Sequence, residues 1–486
     1  MASGEITSTM VLAILPEIGL VVLAAILLLV DLLWKGEQRR WFGWLTAGGV
    51  AVIMALAIVF SIPGSEPVLV WGGMLRFDMA GFVFRMIFLT GAGLTALFAA
   101  HTDAVRLKGE FYALLLVSTL GMSLMASSAD LIMLFLAIET TSIPLYVLTG
   151  FILRDQKSVE AGIKYLLFGS MASAILLYGF SLLYGFTGNT QLYGLGSMLQ
   201  TANIPTALIV GVIGLVLVGF GFKVSAVPLH FWAPDVYQGA PTPVAGFLST
   251  ASKAAGFAAL MRVMAVAFPE QSALWSTMIA VIATASMLVG NYLALVQKSL
   301  KRLLAYSSIA QAGYMLIGVA AGTELGYLAS TYYLMAYLVT NLAAFGVVAW
   351  VEHNTGSDDL SAFAGLSRRA PILGLVMIAA MMSLGGIPPF AGFFGKVLVF
   401  GAAIEENLVW LALVGIFNAI IGLYYYLVVL KTIYVNEPIE KEKLPKASLS
   451  WRLAMAVCVL GILLLGFWFG PFYSYAQGVT SSLWFY

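Results

Sequence analysis

The stretch GFKVSAVPLHFWAPDVYQGAPTP, residues 221–243, decides how this chain is read. It places Lys223 in an apolar helical run, interrupts that run at Pro228, and continues through His230 into a loop holding Pro234, Pro241 and Pro243. A charge in an apolar helix is costly, and proline removes a backbone donor and breaks the helix. Composition supplies the setting. Of 486 residues, 61% are hydrophobic and 10% charged, whereas a soluble domain carries about 25% charged residues. Too little polar surface remains to face water, so the chain reads as an all-α polytopic membrane protein.

Several functions are disfavoured at once. A net charge of +1 gives no general attraction to nucleic acid. The single cysteine, Cys458, cannot form an internal disulfide or a cysteine-ligated zinc or iron–sulfur site. His101, His230 and His353 are scattered along the chain, which argues against haem or copper. The expectation is therefore no metal and no cofactor within this chain. The first ten residues carry Glu5 and no basic residue, so the first apolar run reads as a span rather than a signal peptide.

Apolar runs of about 20 residues predict fourteen spans, beginning near residues 10, 41, 78, 111, 131, 161, 204, 242, 274, 302, 325, 371, 407 and 451. With the N-terminus outside, the inward loops collect Lys35, Arg39, Arg40, Arg106, Lys108, Arg154, Lys157, Lys298, Lys301, Arg302, Arg368, Arg369, Lys441, Lys443 and Lys446. The outward loops hold Arg76 and little else. This positive-inside bias predicts that both termini face away from the cytoplasm.

The charges left at membrane depth are few: Glu139, Lys223, Lys253 and Lys396, with Lys164 near a helix start. Arg85, Arg262 and Lys431 lie near span ends and are expected to snorkel. An ionised group at the bilayer centre costs at least about 2.5–3.5 kcal/mol, so the deep set implies partners or water. A static ion pair would explain one lysine and Glu139, but not the surplus. Burial penalises a charged amine and a nearby carboxylate favours it. A lysine whose partner approaches and withdraws can therefore take up and release a proton. His230 fits either a proton relay between lysines or a structural histidine at the break.

A second break is expected if the chain repeats, because transporters carry interrupted helices at corresponding places of two repeats. MMSLGGIPPFAGFFGKVLVF supplies it, with Gly386, Pro388 and Pro389 ahead of Lys396. TTSIPLYVLTG and YSSIAQAGYMLIG form a weak echo, and Ser142 precedes Lys223 by about as far as Ser308 precedes Lys396. The predicted organisation is three helices in residues 1–109, two inverted five-helix repeats in 110–270 and 271–436, and a closing helix in 437–486. Each repeat contains a broken helix.

LHFWAPDVYQGAPTPVAGFLSTASKAAGF resembles the signature of the antiporter-like membrane subunits of respiratory complex I. LAIETTSIPLYVL, VEAGIKYLLFG, KRLLAYSSIAQAGYMLIG and GGIPPFAGFFGKV are similar to that family as well, and the resemblance runs from about residue 110 to 435. Within it, Lys396 and the lack of a long lateral C-terminal helix resemble the N-type subunits of NADH–quinone oxidoreductase rather than the M or L types. The resemblance implies proton translocation by Glu139, Lys223, Lys253 and Lys396, with Lys164 on the same polar axis. It also implies a bacterial cytoplasmic (inner) membrane, and neighbours in the membrane arm such as the M, K and J subunits. NAD, FMN, iron–sulfur clusters and quinone would be bound by those partner subunits and others. The alternative expectation is an Mrp-type cation/proton antiporter subunit without redox coupling.

Overall fold

The computed structural model describes residues 7–202, 204–438 and 444–483. Lys441 and Lys443, counted above among the inward-loop charges, lie outside them. Among the described residues, thirteen helices are long and apolar enough to cross a membrane. A further crossing is made of two pieces, Pro371–Gly385 and Ala391–Glu405. Together they occupy the fourteen predicted places.

Short polar caps allow close-spaced turns between helices. Asp130 accepts from the amides of Ile132 (2.8 Å) and Met133 (3.2 Å), so the fifth span starts immediately after the fourth ends at Ser127. Asp78 caps the third span through Gly81 N at 2.8 Å, and Ser299 caps the tenth through Arg302 N at 3.2 Å. The small amount of sheet is a hairpin, Val68–Val70 antiparallel to Leu75–Phe77, with Val70 opposite Leu75.

The eighth span (Thr242–Ala267) is covered along its whole length, and the tenth (Leu300–Ala321) and eleventh (Glu324–Thr355) nearly so. The first, second, sixth, ninth and thirteenth spans expose most of theirs, as lipid-facing helices do. The core is therefore the middle of the chain, and the deep lysines lie on or beside it.

Both breaks are present. The seventh span (Thr206–Lys223) ends on Lys223 itself. Ser225 then turns the chain with φ 58°, and Trp232–Gly239 resumes as a short helix that includes Pro234, expected above to lie in a loop. Pro234 sits in that helix's first turn, where its missing N–H costs nothing. In the twelfth crossing, Gly386 (φ 80°) ends the first piece and Pro388 and Pro389 separate it from the second. One element was not anticipated: beyond the fourteenth span (Leu449–Phe467) a further helix, Phe469–Leu483, folds back onto the third span.

Candidate proton pathway

Lys223, Lys253 and Lys396 are all buried, at 5%, 1% and 5% exposure. Among the described residues none forms a direct ion pair, so oxygen atoms of the helices themselves receive their ammonium protons. Lys223 closes the first half of the seventh span, where a cation complements the negative end of the helix dipole. Its Nζ donates to Ser142 Oγ on the fifth span, and Ser142 donates back to the Ile138 carbonyl. Glu139 lies one turn before Ser142 and is close enough to act electrostatically on Lys223. Its side chain is half-buried, with Oε1 lacking a hydrogen-bond partner.

Lys253 follows a π-helical turn, Leu248–Ser252, inside the eighth span. Such turns widen a helix locally and recur at functional sites. Its Nζ donates to both Ser308 O and Ser308 Oγ at 2.8 Å. One turn on, Gly256 allows the close approach to the seventh span: a Cβ there would stand 3.0 Å from Lys223 Cβ.

Lys396 donates to the carbonyls of Leu384 and Gly385, each at 3.0 Å, and lies 5.0 Å over the Tyr314 ring. Those carbonyls are free because the helix ends there, so Lys396 caps a half-helix from outside. Gly386 is needed twice, for its positive φ and because a Cβ would approach Lys396 Cδ to 2.8 Å. The sequence echo aligned Ser308 with Lys396. In the structure Ser308 instead receives Lys253.

Between Lys253 and Lys396 lies a polar cluster that sequence reasoning missed. Gln311 Nε2 donates to the Leu384 carbonyl (3.1 Å) and the Tyr426 hydroxyl (3.0 Å), and its Oε1 accepts from Tyr333 (2.5 Å). Tyr426 in turn shares a 2.5 Å hydrogen bond with Ser307. A carboxamide one turn beyond Ser308, deep in the tenth span, was the available signal.

His230 is buried against Phe231, with ring centroids 4.4 Å apart, and its Nδ1 is unpartnered; no hydrogen bond joins it to a lysine among the described residues. The break is satisfied elsewhere, by Ser286 Oγ accepting from Val227 N at 2.9 Å. Lys164 is not deep. It pairs at 2.6 Å with both Glu160 and Asp235, and Arg302 holds Asp235 from the other side at 2.7 Å. Alongside, Lys301 pairs with Glu352 at 2.6 Å, and Thr242 donates to the same carboxylate. The Lys301–Glu352 pair borders a polar cavity of about 420 Å³ at the end of the bundle that carries the basic loops, lined by Asp103, Lys157, Gln238, Lys301, Glu352 and His353.

The expectation that Arg85 and Arg262 snorkel is wrong. Both are buried, at 3% and 1% exposure. Arg85 meets Glu17 at 2.7 Å, Ser123 Oγ at 3.0 Å and the Ala13 carbonyl at 3.0 Å. Arg262 holds Asp78 through two hydrogen bonds, at 2.7 and 3.0 Å, and also reaches the Ala126 carbonyl and Tyr193. Guanidinium groups paired with a buried carboxylate and bonded to further oxygens need no aqueous escape. Lys431 is exposed, as expected.

Residues 128–422 match the transmembrane family NADH:quinone oxidoreductase/Mrp antiporter. The chain is 43% identical over 455 residues to the NADH-quinone oxidoreductase subunit N of Moorella thermoacetica, covering 93% of this chain and 94% of that one. Among solved structures, a chain of respiratory complex I from Thermus thermophilus superposes with a TM-score of 0.80 at 35% identity, over 94% of this chain and 98% of that one. A chain of the Mrp complex from Dietzia sp. superposes with a TM-score of 0.87 at 21% identity, over 99% and 98%, and shares the fold.

Proposed function

The chain belongs to the NADH:quinone oxidoreductase/Mrp antiporter family of membrane subunits, and on that premise we propose that it is a proton-translocating subunit in the membrane arm of a complex I-type quinone oxidoreductase. The observation that carries this reading is the row of three buried lysines, each held by helix oxygens rather than by a counter-ion. A permanently paired lysine is structural. One held by a hydroxyl or carbonyl can exchange its proton when that contact changes. Moving one charge through 100 mV requires about 2.3 kcal/mol, comparable to the worth of a single charged hydrogen bond, about 1.5–3 kcal/mol.

In this proposal protons enter from the cytoplasmic side through the cavity bordered by Glu352 and Lys301. They pass along Glu139, Lys223, Lys253 and Lys396, and leave on the opposite side. Lys164 and Asp235 form the ionic frame of the first broken helix, and His230 is left out of the relay. The donor, its electron carriers and quinone belong to partner subunits, so this chain contributes translocation without a redox group of its own. Its place would be the bacterial cytoplasmic membrane, with both termini on the outer side and M-, K- and J-type subunits beside it. The long, highly identical match to a subunit N favours this over the Mrp-type alternative, whose structural relative shares the fold at 21% identity.

Native electrophoresis of gently solubilised membranes, with this chain located by mass spectrometry, separates the two readings. Co-migration with iron–sulfur subunits and with donor:quinone reductase activity is expected. Migration with small antiporter subunits alone would replace it with the Mrp reading.

A further inference from the structure

Hydrogen-bond direction between Lys253 and Lys396 is set by one side chain. Gln311 is 1% exposed and commits its amide completely, with both Nε2 hydrogens donated and Oε1 accepting from Tyr333. The amide cannot be turned over, because Oε1 would then face the Leu384 carbonyl, which only accepts. Lys396 donates to that same carbonyl. Gln311 and Lys396 therefore meet as two donors on one acceptor. Among the described residues, Lys396 has no other hydrogen bond except to the Gly385 carbonyl.

A proton relay needs each member to accept on one side and donate on the other. Neither a carboxamide held as a double donor nor a backbone carbonyl can do this. On the Lys253 side the partners are Ser308, Ser307 and Tyr426, all hydroxyls able to do both. Groups able to relay a proton thus extend up to Gln311 and stop there.

We propose that Gln311 is the insulating element of the proton pathway: its amide, latched to Leu384 and Tyr426, separates the Lys253 segment from Lys396, and protons cross only when it swings away and water bridges the gap. The inference rests on the translocation reading above. It adds a reason why protons do not run back through a chain of buried polar groups, and it makes Gln311 a positioning residue, not a proton carrier.

The test is passive proton leak through the reconstituted whole complex, measured with a vesicle-trapped pH dye under an imposed potential and without substrate. Gln311→Glu puts an ionisable group at the junction, and Gln311→His puts there a neutral ring able to accept and donate. Each is expected to raise the leak several-fold and to lower protons moved per quinone reduced, with quinone reduction itself retained. Gln311→Met, similar in length and unable to carry a proton, is expected to stay as tight as the parent. That contrast is one a packing defect would not give. Glutamate and histidine variants that assemble and remain as tight as the parent overturn the insulator, as does a methionine variant that leaks equally. Lys223→Ala in the same assay addresses the premise: undiminished pumping there removes the translocation reading, whereas lost pumping beside a tight Gln311→Glu complex removes only the insulator.

Discussion

Gly386→Ala perturbs the second break at a single atom. The residue sits at φ 80°, where an L side chain costs about 1–2 kcal/mol. The added Cβ would stand 2.8 Å from Lys396 Cδ and 3.2 Å from Nζ. A lysine side chain can yield, but yielding moves Nζ away from the Leu384 and Gly385 carbonyls that hold it at 3.0 Å. Loss of one such bond to a charged group costs about 1.5–3 kcal/mol, so the substitution should cost about 2.5–5 kcal/mol in all, the larger share of it falling on Lys396. Gly401→Ala is the control, since it lies in the same second piece of the crossing with open space around its Cβ position. The assay is donor-driven acidification of inverted vesicles, normalised to quinone reduction, with thermal stability of the purified complex alongside. The expected result is a lower melting temperature and fewer protons per quinone for Gly386→Ala, with Gly401→Ala unchanged in both. A Gly386→Ala complex that pumps and melts like the parent would refute the argument that Lys396 works from the end of the half-helix.

Three further outcomes follow from the same geometry. Arg262→Met removes the closer of the two cations that face buried Asp78, leaving Arg76 at 3.6 Å, and should cost up to about 3 kcal/mol, the low end for breaking a buried pair, seen as a lower melting temperature; Asp78→Asn on that background should restore part of it while keeping the cap on Gly81. Burial first, and then the charges of His353 and Arg106, hold the His101 imidazole below its usual 6.5, with Asp103 opposing. The unfolded chain therefore binds more protons there, and stability contributed at neutral pH is lost as pH falls through about 6.5; His101→Gln should flatten this acid-side loss in melts between pH 8 and pH 5. Ser308→Ala keeps the carbonyl that anchors Lys253 and removes only the hydroxyl, so the complex should assemble normally with reduced proton yield, and full pumping would exclude Ser308 as a relay.

Much of the frame was legible because it depends on local chemistry. Lys223 followed by Pro228, and Gly386 with Pro388 and Pro389 before Lys396, announce broken helices whatever the tertiary fold. Span count and loop charge follow from hydropathy in the same way. What could not be read is pairing. Arg85 meets Glu17, 68 residues away, and Arg262 meets Asp78, 184 away; neither acid is marked as buried by its neighbours, so an arginine near a span end reads as one that snorkels. Gln311 and Tyr426 were invisible for a related reason. Along one helix they are ordinary polar residues, and only the packing of the tenth, twelfth and thirteenth spans turns them into a junction. The π-turn before Lys253 has no proline or glycine pair to announce it.

The three lysines differ in the oxygens that receive them, and the difference gives the pathway a sense of direction under the proposed function. Lys223 and Lys253 donate to serine hydroxyls, which can accept a proton on one lone pair while releasing another. Lys396 donates to two carbonyls, which cannot pass a proton on. Exchange at the first two can begin at a hydroxyl already in contact with the lysine, whereas exchange at Lys396 requires the lysine, Gln311 or water to move. The step at the second break is then the one that conformational change in neighbouring subunits can control. Lys396 and Gln311 share the Leu384 carbonyl, so a displacement of that half-helix end would loosen the ammonium and the amide together. Holding both through one carbonyl ties release of the proton to opening of the path behind it.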